Sequence, residues 1–245
     1  MNLQNANANS ESSAMNPKHP YAISLTESID LIARNGTMPY ETASGLYYCI
    51  SIIGQIEGHM LSEQTQKVTK YDHLMPLLVR LEADPRIRGV LFLLNTLGGD
   101  VEAGLAIAEL VASMRTPTVS LVLGGGHSIG IPLAVSADYS MIVPSATMTL
   151  HPVRTGGTVI TSPQAFDYLL KMQGRILDFI AAHSKAERED LHRRMMRTDQ
   201  LANDIGSVLN GHDAVDCGLI DRVGGLSDAM RALEEHAEKA LENQA

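Results

Sequence analysis

One order of residues recurs along the first half of this chain, and it constrains the fold more than any other feature. Leu46 to Ile56 (LYYCISIIGQI), Gly89 to Leu94 (GVLFLL) and Val119 to Leu123 (VSLVL) are short, β-rich apolar runs. Each runs into glycine, at Gly54, at Gly98-Gly99 and at Gly124-Gly125-Gly126, and each is followed by a segment with helical spacing. Continuous apolar runs imply strands covered on both faces, as in parallel sheets. Parallel strands need crossover connections, and helices supply them in right-handed βαβ units. The expected fold class is therefore α/β, a parallel sheet with helices outside.

The helical segments are Ser62 to Ala83, with Pro76 as a kink, then Val101 to Met114, then a buried helix start over Ile129 to Ala137. Two short strands, Tyr139 to Val143 and Thr147 to Leu150, follow around Pro144-Ser145. Val153 to Ile160 reads as a loop. Ser162-Pro163 opens a long helix to about His183, with serine as the cap and proline in the first turn. Ser184-x-x-Glu187 reads as a capping box starting a helix to about Arg197. Gly218 to Val223 is extended, and Ser227 is expected to cap a final helix. Residues 21–45 give no firm pattern. Residues 1–20 (MNLQNANANSESSAMNPKHP) are nearly free of the large apolar groups that offset ordering entropy and are expected to be a disordered tail. Residues 21–245 are expected to form one domain.

Chemistry concentrates where the third run turns into a helix. Gly124-Gly125-Gly126-His127-Ser128-Ile129 would present Ser128 at a sharp turn, where open backbone N–H groups favour negative charge. A tight turn with Ser128 as an ordinary N-cap is the plainer alternative. Serine needs an adjacent base to act as a nucleophile. His151, at the end of Thr147 to Leu150, is the candidate; His127 reads as pocket lining, and the other histidines as surface residues. N–H groups of Gly98, Gly99 and Ile129 could meet on one oxygen as an oxyanion hole.

The charge balance excludes some partners. Formal net charge is −9, with no basic stripe, which argues against nucleic acid. No run reaches the ~18 apolar residues of a membrane span, and no leader pattern opens the sequence, so a cytoplasmic protein is expected. Cys49 and Cys217 are expected to be small, reduced, unpaired residues. No histidine pair has metal-ligand spacing, and no cofactor is expected.

Asn95-Thr96-Leu97-Gly98-Gly99-Asp100-Val101-Glu102-Ala103-Gly104 resembles the N-S-P-G-G-x-V-x-A-G segment of ClpP, the Clp protease proteolytic subunit family of serine peptidases. Gly124 to Gly130 resembles the segment around that family's catalytic serine, where alanine usually precedes the serine. Met148-Thr149-Leu150-His151-Pro152 resembles the segment bearing its catalytic histidine. Gly54-Gln55-Ile56-Glu57 and Asp213 to Asp221 also align. The resemblance covers about residues 46–224 and is closest to a translocation-enhancing subgroup sharing G-G-G-H-S-I-G and T-M-T-L-H-P-V-R.

It implies a ClpP/crotonase-like spiral of ββα units, with Pro163 to about His183 as a protruding handle helix. Ser128 would be the nucleophile, His151 the general base, and Gly98, Gly99 and Ile129 the oxyanion residues. The function implied is a serine-type endopeptidase acting through an acyl-enzyme on unfolded proteins or short peptides, in translocation or quality control. Stacked homo-oligomeric rings are implied, and an AAA+ unfoldase partner remains open because the N-terminal segment departs from the family. The family's third catalytic residue, an aspartate, falls on Gly206. Asp204 is the nearer substitute and Asp199 the farther. That gap leaves a weak or inactive scaffold as the alternative, and a crotonase-type thioester enzyme as a distant third.

Overall fold

The structure, a computed structural model, describes residues 25–60, 65–154, 162–199 and 205–243. The expected tail and Asp204 lie outside these residues. In chain order the elements are α1 (Leu25–Asn35), β1 (Thr37–Thr42), β2 (Gly45–Glu57), β3 (Val68–Lys70), α2 (Tyr71–Glu82), β4 (Ile87–Gly99), α3 (Val101–Ala112), β5 (Thr118–Gly126), α4 (Gly130–Val135), β6 (Tyr139–Ile142), β7 (Thr147–Leu150), α5 (Pro163–Ala182), α6 (Arg188–Met195), β8 (Ser207–Asn210), α7 (Gly211–Asp216), β9 (Arg222–Val223) and α8 (Leu226–Glu242).

The main sheet has the order β1-β2-β4-β5-β6-β9. From β2 to β9 every neighbouring pair is parallel, as the continuous apolar runs predict. β1 closes one edge antiparallel to β2, with Pro39 opposite Tyr48; proline is tolerated there because an edge strand need not donate on both sides. β3 lengthens the same edge, parallel to the end of β2. β7 leaves the sheet, touching β5 at Gly125 opposite Thr147 and pairing antiparallel with β8.

Alternate residues of the central strands face two cores. Ile50, Ile52, Val90, Phe92, Leu94 and Val122 pack with α2, α3 and α4. Tyr47, Leu91, Val119, Leu121 and Met141 pack under Ala229, Leu233 and Ala237 of α8. This period of two along each strand, apolar on both sides, is what a doubly covered parallel sheet requires.

Several boundaries differ from the sequence reading. The helix expected from Ser62 begins at Tyr71 in the described residues, because Val68–Lys70 is extended and pairs with β2. β4 and β5 run on past Leu94 and Leu123 to take in their glycines, ending at Gly99 and Gly126. Ser184 does not open a capping box: its hydroxyl donates to Ile180 O, 2.7 Å away, and α6 starts only after Glu187. Ser227 is not the last helix's cap; that helix starts after Gly225, whose N–H donates to Asp228 Oδ2 at 3.1 Å. By contrast, Ser162 accepts from Ala165 N at 3.2 Å and Pro163 opens the 20-residue α5, as expected.

Asp221 ties the far edge together. Its carboxylate accepts from Ser140 N (3.0 Å), from Ser140 Oγ (2.9 Å) and from Lys185 Nζ (2.8 Å). Ser140 is buried, so removing its charged acceptor strands two donors. Asp221→Ala is expected to destabilise the fold by about 2 kcal/mol, the scale of a buried donor losing a charged partner. Urea unfolding of both proteins measures it.

Candidate active site

Three strands are laced together beneath the site. Asn95 Oδ1 accepts from Gly125 N at 2.9 Å. Thr96 Oγ1 donates to Gly54 O at 2.6 Å, and Thr96 O accepts from His127 N at 3.2 Å. β2, β4 and β5 are thus fixed to one another where their glycines lie. Neither Gly124 nor Gly125 has room for a side chain: a Cβ at 124 would sit 2.5 Å from Asn95 Oδ1, and one at 125 would sit 2.6 Å from the His127 ring.

Ser128 follows at φ 56°, the only positive φ of a non-glycine residue among the described residues. An L-residue in that left-handed region carries about 1 kcal/mol or more of strain. The turn is held by Ser128 N donating to Thr149 O (2.9 Å) and by Gly130 N and Ile131 N donating to His127 O (2.9 Å) and Ser128 O (3.0 Å). Ile129, between them, is the N-cap residue of α4, with its side chain buried against Gly104, where a Cβ would collide with Ile129. This is the strained strand-to-helix turn that aims a serine outward.

His151 follows the last residue of β7. It and Ser128 line one cleft of about 220 Å³, together with Leu97, Gly99, Val101, Ile176 and Met195. The serine and the histidine expected from the sequence are therefore brought to one pocket. His151 Nδ1 lies 2.7 Å from Pro152 O. A carbonyl oxygen only accepts, so Nδ1 carries the proton and the lone pair of the neutral ring sits on Nε2.

The expected oxyanion residues divide. Gly99 lines the cleft. The Gly98 N–H instead donates to Thr96 Oγ1 at 3.1 Å. Gly98 contributes space: at φ 91°, a Cβ on it would lie 2.7 Å from Ser128 Cβ. Of the two aspartates considered for the third position, Asp199 is held by Arg197 through two bonds of 2.9 and 2.7 Å. Gly206, the position on which the sequence resemblance puts the family's aspartate, abuts the histidine; a Cβ there would lie 3.0 Å from His151 Cβ and 2.5 Å from Leu150 O.

His127, expected as pocket lining, is not among the residues that line the cleft; its Nδ1 lies 2.8 Å from Thr149 Oγ1. Sequence reasoning passed over Thr149, which holds His127 through its hydroxyl and Ser128 through its carbonyl. Its signal was present: Thr147 and Thr149 alternate along β7, two and four residues before His151. Burial, and secondarily the nearby His151, keep the His127 pKa below its ordinary value. Below about pH 6.5 the unfolded chain takes up a proton that folded His127 resists, so stability falls as pH falls. Wild type should lose more stability than His127→Gln between pH 7.5 and 5.5, read from urea midpoints.

The Clp protease family model matches residues 46–226. A translocation-enhancing protein, TepA, of Halalkalibacterium halodurans is 55% identical over 192 residues, 78% of this chain and 75% of that protein. The ATP-dependent Clp protease proteolytic subunit of Streptococcus pneumoniae is 25% identical over 180 residues, 71% of this chain and 83% of that protein. Subunit 1 from Chlamydia muridarum is 25% identical over 140 residues, 55% of this chain and 69% of its own length.

Proposed function

The chain belongs to the Clp protease family, and from that premise we propose that it is a serine endopeptidase cleaving unfolded proteins or short peptides. Ser128 Oγ attacks the scissile carbonyl carbon while His151 Nε2 takes its proton. The oxyanion that forms accepts from the N–H groups of Gly99 and Ile129. His151 then returns the proton to the departing amine, leaving an acyl group on Ser128. Water, deprotonated by the same imidazole, releases the acid. One observation carries this reading: Ser128, strained into the left-handed region, and His151 line the same cleft.

The domain of residues 21–245 is taken to work within homo-oligomeric stacked rings. The exposed Phe166, Tyr168 and Leu170 on the first half of α5 support that reading, since a second copy would cover them. An AAA+ unfoldase is the partner that would feed such a chamber. The physiological setting carried over from the 55%-identical relative's name is protein translocation. Among the described residues no helix is long and apolar enough to cross a membrane.

The test is covalent labelling with a fluorophosphonate probe, followed by peptide mapping. Adduct on Ser128, lost in Ser128→Ala and in His151→Ala, is the expected result. Equal labelling of wild type and Ser128→Ala overturns the reading.

A further inference from the structure

β7 leads directly into His151, yet it is thinly attached to the strand that leads into Ser128. It pairs with β8 along its whole length, and with β5 only where Gly125 faces Thr147. Two further bonds tie it to the serine turn, and both end on Thr149. The Ser128 N–H donates to Thr149 O at 2.9 Å. The Nδ1 of His127 and the Thr149 hydroxyl lie 2.8 Å apart, a pairing in which either group can donate. A single bond to a strand leaves it free to pivot. A second bond, to another atom of the same residue, removes that freedom. The His127 side of the grip is itself anchored: its N–H donates to Thr96 O at 3.2 Å, and its carbonyl accepts from Gly130 N at 2.9 Å. The ring lies over Gly125, where a Cβ would come within 2.6 Å of both Cδ2 and Nε2. Glycine at 125 is therefore what lets the ring reach Thr149.

We propose that His127 is a positioning residue of the active site: its bond to the Thr149 hydroxyl clasps β7 to the serine turn and sets the separation between Ser128 Oγ and the His151 ring. His127 does not line the cleft, so it acts through Thr149 and not on substrate. Thr149 stands two residues before His151 and Ser128 directly follows His127, so the clasp spans the shortest path between the reacting pair. The strained φ of 56° at Ser128 persists only where its surroundings over-determine it, and the clasp is one of those restraints. Burial, and secondarily the nearby His151, hold the His127 pKa below its ordinary value. The clasp is then uncharged at neutral pH. It adds no positive charge beside His151, where one would oppose the imidazolium formed as Ser128 gives up its proton. Misplacing a reacting group by about 1 Å costs on the order of 10²-fold in rate, which sets the scale of what the clasp protects.

This inference rests on Ser128 and His151 being the reacting pair. Its experiment measures kcat and KM on a fluorogenic peptide, and fluorophosphonate labelling rates, for the full chain and its variants. Thr149→Val removes the hydroxyl but keeps the carbonyl and the β-branched shape that suits a strand. Its kcat and labelling rate should fall about ten- to a hundredfold, with KM within about threefold of wild type and circular dichroism unchanged. Thr149→Ser restores a hydroxyl and should recover rates to within about threefold of wild type. His127→Ala should lose about as much as Thr149→Val, and the double variant no more than either, because one bond can be lost only once. His127→Asn, whose amide can occupy the place of Nδ1, should keep more rate than His127→Ala. The clasp is overturned by Thr149→Val within threefold of wild type, by Thr149→Ser as slow as Thr149→Val, by losses that multiply in the double variant, by His127→Asn slower than His127→Ala, or by a loss carried by KM. If wild type itself takes no probe on Ser128, the peptidase reading fails and the clasp's catalytic role with it. If wild type and Thr149→Val label equally fast, only the clasp fails.

Discussion

Replacing Ser128 with alanine is expected to reduce peptide turnover by about a million-fold, the scale on which a serine protease loses rate when its nucleophile is deleted. The loss should fall on kcat, because the hydroxyl's bond to the carbonyl carbon forms only along the reaction path. The fold should be retained. Removing the hydroxyl creates no buried void, since Ser128 is half-exposed at the cleft, and the backbone bonds holding the turn use N–H and C=O groups that alanine keeps. His151→Ala should lose nearly as much, and the double variant little more than either single one, because nucleophile and base act as a unit. A fluorogenic peptide assay with matched thermal melts measures both. Near-wild-type turnover in Ser128→Ala would remove the residue from the chemistry.

The second large effect is on folding. Gly99→Ala is expected to destabilise the protein by about 4 kcal/mol or more, the range reserved for substitutions that clash in the interior. Gly99 sits at φ 152°, which L-residues rarely adopt. A Cβ there would meet the backbone of Ile56, 2.6 Å from its nitrogen and closer still to its carbonyl oxygen. Two paired strands, β2 and β4, cannot part to admit it without breaking the bond from Asp100 N to Ile56 O. A flexible side chain could move aside; a strand backbone cannot. Gly174→Ala is the control, because a Cβ there meets only the end of Arg188, at 3.9 Å. Denaturant midpoints of the two variants should differ widely, and equal midpoints would contradict the close approach of the strands.

How much of this was legible in the sequence depended on whether the decisive interactions were local. The βαβ frame was legible because Gly89 to Leu94 and Val119 to Leu123 are too continuously apolar for anything but doubly covered strands. Ser162-Pro163 was legible because capping uses residues adjacent in sequence. What depended on distant partners was not. Val68 fits a helical spacing, yet it is drawn into β3 by pairing with Gln55. Ser184 carries capping chemistry but donates to Ile180 O, and Ser227 lies inside a helix that starts after Gly225. β8 was missed because its four residues alternate exposed and buried only through pairing with β7. In the site, Ser128 and His151 were legible from glycine-rich turns and strand ends. The 2.7 Å bond from Nδ1 to Pro152 O was not, since it lies in a backbone carbonyl that every residue has.

The left-handed turn at residue 128 carries a consequence for how this lineage can change. Glycine would occupy that backbone with less strain than serine does. A descendant under no selection for that hydroxyl could therefore drift to glycine and become sturdier, keeping its architecture. Folding alone gives serine no advantage at this position, so Ser128→Gly is expected to be at least as stable as wild type.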